Sequence, residues 1–296
     1  MADGSSQADI RSLEIEKMAR GFAEIDNVFK NFVRKQSTTA RKIRWYRKTS
    51  GFLDSTDTTG ITASQIANVA EKALPVVVEA TWTRLETDVR KYFVTSPLFS
   101  IEDLRDTDIR ILQTNIRDLT RAVQNQIDKR IYNVITDTQA TGSASVNTAA
   151  ATANGWDDTT NGNPVLDIMV GLENISTNGY SVNNIIVAMD PNNYKDLLNY
   201  LITIKGSSIP GFSSEQIKSN VLMMLLGCKI VVSPNVVADS VAMWNPEAAG
   251  AWLSFMPLQT AVIEDKGIGA RIRIWEEGEA ILTDPKAVHV ITDTNT

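Results

Sequence analysis

The chain holds a single cysteine, Cys228, and a single histidine, His289. One cysteine closes no intrachain disulfide and fits folding in a reducing cytosol. One of each cannot build a thiolate and imidazole zinc site, so no metal and no cofactor is expected. His289 lies in Ala-Val-His-Val-Ile, an alternating stretch that reads as a packed or edge strand, with no serine or cysteine nucleophile arranged beside it. Cys228 falls in an apolar strand pattern, where an inert thiol is expected. Gly267-Ile-Gly269 lacks the further glycine of a dinucleotide fingerprint. Long apolar runs are missing too. The longest, Val221 to Val232, has 12 residues including Gly227 and Lys229, short of a membrane span. The N-terminal Met-Ala-Asp-Gly-Ser-Ser carries no signal-peptide core, and the retained Met1 speaks against a cleaved leader. These absences lead to the expectation of a soluble intracellular protein with no membrane partner and no enzymatic activity. A net charge of −6 argues against a surface given wholly to nucleic acid, while leaving local basic patches possible.

What the chain does have is one long uninterrupted stretch. Between Pro97 and Gly142 lie 44 residues without glycine or proline. Ser100 and Asp103 are spaced as a helix start, and Leu104, Leu112, Ile116, Leu119, Val123, Ile127, Ile131 and Val134 recur along one helical face. The spacing predicts a helix over 101–136, about 54 Å long at 1.5 Å per residue. Asp103, Asp106 and Asp108 near its start are placed as the helix dipole favours.

Ahead of it, residues 10–34 predict an amphipathic helix. Ile15, Met18, Phe22, Ile25, Phe29 and Phe32 step by three and four, and Lys30, Arg34 and Lys35 close the pattern. Such a seam packs either on its own domain or on another subunit. The interspersed Glu14, Glu16, Glu24 and Asp26 speak against a membrane surface. From Arg34 to Lys48 there are seven Lys or Arg and no acid, with Trp45-Tyr46 among them. Basic residues interleaved with aromatics can hold phosphates and stack bases. The alternation of Ile43, Trp45 and Arg47 with Arg44 and Tyr46 equally fits a strand facing a neighbouring subunit, or a solvated face. Residues 49–65 read as a loop and Val76 to Val94 as a long strand region, so 41–48 and 76–94 form the legs of a two-stranded arm. Such an arm has little core of its own and needs a neighbour.

Residues 139–163 are low in complexity and read as a linker or surface loop. Strands and helices then alternate: a helix from Asn163-Pro164 to Ser176, a strand Ile185 to Met189, a helix from Asp190-Pro191 through Leu201, and a third helix from Ser213 or Ser214 to Gly227. Strands follow at Cys228 to Val232, Val241 to Trp244, Trp252 to Phe255, Ala270 to Leu282 (interrupted at Gly278) and Ala287 to Ile291. The second half is thus an α/β unit around a central sheet. Glu276, Glu277 and Glu279 form an acidic strand end, suited to a basic partner surface rather than to a catalytic pair.

The order of these parts resembles the major capsid proteins of tailed double-stranded DNA viruses, those of the Hong Kong 97 fold. Ile185-Ile-Val-Ala-Met-Asp-Pro-Asn-Asn-Tyr194 is similar to the family's strand running into a proline-started helix. Leu226-Gly-Cys-Lys-Ile-Val-Val-Ser-Pro234 resembles its short Gly-x-x-Val-Val strand, and Arg271-Ile-Arg-Ile-Trp-Glu-Glu-Gly-Glu-Ala280 its penultimate peripheral strand. The resemblance implies an α+β Hong Kong 97-like chain. It would comprise an N-terminal arm (1–40), an extended loop (41–81), a peripheral domain with the spine helix (82–138), a low-complexity passage (139–163), an axial domain (164–262) and a peripheral return with a C-terminal strand (263–296). It implies a structural protein that self-assembles as pentamers and hexamers into an icosahedral shell. Packaged double-stranded DNA would lie at the inner surface, with portal, scaffold or cement proteins as further partners. The location would be the virion capsid, assembled in the host cytoplasm. No N-terminal scaffold of about a hundred residues and no convincing cross-linking lysine match the type member, so a separate scaffold and a non-covalent shell are expected. The alternatives are an encapsulin-like compartment and a soluble α/β enzyme or binding protein. Candidate subunit contacts are Phe22, Ile25, Phe29, Phe32, Arg44, Trp45, Arg47, Glu276 and Glu277.

Overall fold

The computed structural model describes residues 29–50, 71, 74, 81–100, 109–142, 146–152, 155–204 and 224–295. They divide into two compact units, the first drawn from 1–41, 88–134 and 251–281 and the second from 42–87, 135–250 and 282–296.

A sheet and a long helix make the first unit. The sheet runs β1 (Arg34–Ser37), β11 (Gly250–Asp265), β12 (Gly269–Leu282), β4 (Arg90–Thr95), with β5 (Phe99–Ser100) also on β12. β1 lies parallel to β11, Arg34 opposite Ala251. β4 is antiparallel to β12, Phe93 opposite Trp275 and Lys91 opposite Glu277. The long β11 and β12 are joined by a turn in which Ile268 N–H donates to Asp265 O. Helix α1 (Ile109–Ile135, 27 residues) buries Ile116, Val123, Ile127, Ile131, Tyr132, Val134 and Ile135.

Two expectations need correction here, and a third falls partly outside the described residues. The helix expected to reach residue 34 gives way to a 3-10 turn at Phe29–Phe32, and Arg34 and Lys35 lie in strand β1. The backbone there is taken up by the edge of β11, a demand that side-chain periodicity does not register. The rest of that expected helix, 10–28, lies outside the described residues. The long helix is seen from Ile109, Ser100 belongs to β5, and 101–108 are not described. In the expected strand region 76–94, the described part from 81 onward holds two strands, broken at Val89, whose N–H donates to Arg41 O, and 76–80 lie outside the described residues.

The second unit centres on the sheet β6 (Asn147–Ala150), β13 (Val288–Thr292), β10 (Ser240–Trp244), β7 (Ile186–Met189), β9 (Cys228–Val232), β8 (Met224–Leu225). β7 and β9 are parallel, while β10 runs antiparallel to both β7 and β13. Every residue of β7 and β10 is buried, which is why these segments read as unbroken apolar runs. Helix α2 (Pro164–Thr177) opens on Asn163, whose side chain accepts from Leu166 N–H; α3 (Pro191–Asn199) opens on Asp190, which accepts from Asn193 N–H. Both place proline in the first turn, where its missing N–H costs nothing. The ribbon of β2 (Lys42–Ser50) and β3 (Thr81–Asp88) completes this unit.

The passage 139–163 was expected as a linker, but it contributes β6, paired parallel to β13. Its ladder uses backbone groups only, so small Thr and Ala side chains suffice. Buried Asp167 on α2 holds Thr152 and Trp156 of this passage: it accepts from Thr152 N–H and hydroxyl and, 2.8 Å away, from Trp156 Nε1. The helix expected to begin at Ser213 or Ser214 falls largely outside the described residues, and Met224–Leu225 at its end is strand β8.

Candidate assembly surfaces

Three carboxylates close together on β12, Glu276, Glu277 and Glu279, are at most 4% exposed. Charges this deep demand partners, because desolvation otherwise drives them neutral. Each has them within the first unit. The Lys30 ammonium hydrogen-bonds Glu276, and Lys30 N–H also donates to Asp128 on α1. Arg41 and Lys91 each stand 3.6 Å from Glu277. Arg130 on α1 donates from Nε (2.8 Å) and places Nη2 2.7 Å from the same Glu279 oxygen. Arg90 Nε lies 3.1 Å from the other oxygen but off its hydrogen-bonding direction, an ion pair rather than a hydrogen bond. Burial raises the Glu279 pKa, and the Arg130 charge pulls against it. The acidic strand end therefore meets basic groups of its own chain.

Next to these pairs, Trp252 is fixed from several sides. Lys30 Nζ sits 5.5 Å from its ring centroid and Tyr92 packs at 6.1 Å. Gly278 completes the cradle: a Cβ there would come within 2.4 Å of Trp252 Cζ2 and 2.8 Å of Leu253 O. The glycine that interrupts the sequence pattern thus leaves β12 unbroken and makes room for an indole. Tyr92 and the α1 residues Thr120 and Gln124 each keep a buried polar atom without a hydrogen-bond partner among the described residues. Thr120, Gln124 and Asp128 form a polar row at i, i+4, i+8, buried beside the apolar one. An apolar periodicity scan passes over such a row.

On the ribbon, Ile43, Trp45 and Arg47 are buried while Lys42, Arg44 and Tyr46 are exposed. Trp45 Nε1 (3.3 Å) and Arg47 Nη2 (2.9 Å) both donate to Leu282 O. Burial lowers the Arg47 pKa, opposed by Asp137 and Asp284. Arg44 and Lys42 instead meet Glu86 across the ribbon at 3.2 and 2.8 Å. Tyr46 is 64% exposed and Trp82, on the partner strand, 58%.

The candidate contact residues thus divide. Phe29 is fully buried against Tyr132, centroids 5.6 Å apart, so its ring is taken up by its own unit rather than left for a neighbour. Phe32 is half-buried, Trp45 and Arg47 are tied to Leu282, and Glu276 and Glu277 to their own cations. Arg44 stays on an exposed face. Phe22 and Ile25 lie outside the described residues. Sequence reasoning missed a second exposed feature, Phe93 of β4 flanked by Lys91 and Arg273, because its members come from strands remote in sequence.

The reactive residue types are placed as structure. His289 is buried on β13, opposite Met243, and burial depresses its pKa to about 4. Burial pushes the Cys228 thiol up to about 11. Among the described residues no group of three His, Cys, Asp or Glu could hold a metal ion. No described helix is long and apolar enough to cross a membrane.

A family model described as phage capsid protein matches residues 98–291, about two thirds of the chain. This chain belongs to the phage capsid protein family. Solved structures agree on the fold of this capsid protein. It is similar to the virus-like particle from Pyrococcus furiosus at 10% identity, covering 95% of this chain and 99% of that one, with a TM-score of 0.64. A structure from Mycobacterium phage Che8 matches at 15% identity over 91% and 92% of the two chains, TM-score 0.63. The capsid of Cyanophage P-SCSP1u matches at 12% identity over 91% and 89%, TM-score 0.63. None of the curated proteins matches the sequence. The capsid protein has the Hong Kong 97-type α+β fold, and its role is that of a structural major capsid protein that forms the shell.

Proposed function

We propose that this capsid protein assembles as pentamers and hexamers into an icosahedral shell around double-stranded viral DNA, held by non-covalent contacts and without catalysis. The family match over 98–291 carries this reading. The first unit is then the peripheral domain with α1 as its spine, the second supplies the axial domain, and the ribbon is the extended loop. Its exposed side, with Arg44, Tyr46 and Trp82, is offered to a neighbouring subunit. Closed symmetry repeats each such contact many times, so individually weak contacts suffice. Residues 1–28 serve as the arm, DNA lines the inner surface without sequence preference, and portal, scaffold or cement proteins join the shell in the host cytoplasm. Negative-stain microscopy of the purified protein tests the reading. Closed particles tens of nanometres across are expected, and a field of dispersed monomers contradicts it. Particles that form only around an enzyme cargo would favour the encapsulin-like compartment instead.

A further inference from the structure

Helix α1 turns a face of one chemical kind to solvent. Steps of three and four separate its buried residues, Ile116, Val123 and Ile127 among them, from an exposed stripe that runs from Arg117 to Lys129. From Arg130 to Ile135 the helix is buried all round, so the stripe ends there. Arg117, Arg121, Asn125 and Lys129 lie at successive i, i+4 positions, with Asp118, Ala122 and Gln126 in the row beside them. Three cations thus stand against one carboxylate, in a chain of net charge −6. No exposed side chain of the stripe is apolar beyond the methyl of Ala122.

Protein interfaces are depleted in lysine and centre on aromatic or other apolar anchors. The stripe has none. Other exposed cations of this unit do: Phe93 is 50% exposed, with Lys91 Nζ 5.4 Å and Arg273 Cζ 5.2 Å from its centroid, and Arg41 Cζ lies 5.1 Å from the Phe255 centroid. What the stripe does offer, guanidinium, ammonium and amide donors, is the set that holds phosphate oxygens. Between Arg117 and Lys129 the helix axis rises about 18 Å. One strand of duplex DNA presents about five phosphates over that length, at roughly 3.4 Å each. A straight helix face can therefore lie along a strand and meet it with a donor at every turn. We infer that the stripe from Arg117 to Lys129 is the surface through which the inner wall of the shell holds the backbone of double-stranded DNA. Contacts to phosphate alone carry no sequence preference. The inference rests on the shell reading, which supplies an inside, and adds which side of the subunit faces it.

Charge removal in the full-length chain tests it. The triple variant Arg117→Gln, Arg121→Gln, Lys129→Gln should keep a cooperative melt, since glutamine is a good helix former. Binding of the unassembled chain to a labelled random-sequence duplex is then measured between about 50 and 200 mM salt. The triple variant should bind about tenfold more weakly or worse, and the slope of log affinity against log salt should shrink by about 3. Its particle yield should stay normal. Lys91→Gln with Arg273→Gln should leave the affinity unchanged. An unchanged affinity of the triple variant overturns the inference, and so does an affinity lost through Lys91 and Arg273 instead. Loss of particles by the triple variant with its DNA affinity intact makes the stripe a protein contact and overturns it too. A wild-type chain that binds duplex through the stripe but forms no particles contradicts the shell reading and leaves the phosphate contact standing. A second readout fixes the side. Gln126→Cys with Cys228→Ala is treated with a maleimide on a polyethylene glycol too bulky to enter a closed shell. Labelling of the unassembled chain and protection in the particle are expected. Equal labelling of both puts the stripe outside and overturns the inference.

Discussion

Arg130 on the long helix and Glu279 on β12 form a buried pair, Nη2 2.7 Å from Oε1, with the Glu279 side chain fully enclosed. Two distant segments of sequence are thereby clamped together by opposite charges.

Removing Arg130 takes away both hydrogen bonds to Glu279 and leaves that buried carboxylate only the half-exposed Arg90 as a counter-charge. Arg130→Met is expected to cost about 3–5 kcal/mol, the usual penalty for breaking a buried pair, read as a lower urea midpoint. Arg130→Met with Glu279→Leu should recover most of the loss. A double variant as unstable as the single one contradicts the clamp.

Gly278 is expected to tolerate no side chain. Gly278→Ala drives a methyl to within 2.4 Å of the Trp252 ring and should cost about 1–3 kcal/mol, as overpacking does. The pair Gly278→Ala with Trp252→Leu should lose less than the two separate costs combined. Strict additivity in a double-mutant cycle would show that the two sites do not meet.

Acid should weaken the second unit through His289. Its ordinary value is 6.5 and burial holds it near 4. Between those values the unfolded chain takes up a proton that the folded chain refuses. The stabilisation is therefore complete above pH 6.5 and is lost as pH falls toward 4. The loss is about 1.4 kcal/mol per pH unit, or roughly 2 kcal/mol by pH 5. The raised Glu279 acts in the opposite sense, its contribution being lost as pH rises above the ordinary 4.5. His289→Leu should flatten the profile between pH 6.5 and 5, and an unchanged slope there contradicts the assignment. Gly171 packs against this imidazole, where a Cβ would lie 2.9 Å from His289 Cδ2, so the site has little room to relax.

Cys228→Ala at pH 7 should cost at most a few kcal/mol and leave particle yield largely intact, because the thiol is buried and inert. Loss of a hydrolase or transferase activity on that substitution would overturn the non-enzymatic reading.

Much of the architecture was legible because burial writes itself into period. Ile116, Val123, Ile127 and Ile131 fall at helical steps and are buried, and Ile186 to Met189 is an apolar run because both faces of β7 are covered. Asn163-Pro164 and Asp190-Pro191 announced helix starts that the caps realise. What stayed hidden was carried by the backbone or by long-range pairing. β6 forms from Thr and Ala, and β1 interrupts an apparent helix to join β11. The site was legible only as types of residue. An acidic strand end and a basic run were visible, but that Lys30, Arg41, Lys91, Arg90 and Arg130 converge on it follows from a register no local pattern encodes.

The arm should be dispensable for folding but not for assembly. Deletion of 1–28 is the clean cut, since it spares buried Phe29 and strand β1. Burying Ile25 or Phe22 on a neighbour is worth about 1.5–3 kcal/mol each. The truncated chain should keep the cooperative melt of the full chain and lose most of its particles. Normal yield contradicts the role of the arm, and loss of the melt would place it in the subunit's own core.

Self-association is the central claim, and sedimentation velocity of the purified full-length chain at micromolar concentration tests it most directly. Pentamers, hexamers or whole shells are expected, all far heavier than the 32.6 kDa chain. A single folded species at 32.6 kDa, unchanged by concentration or salt, would contradict it.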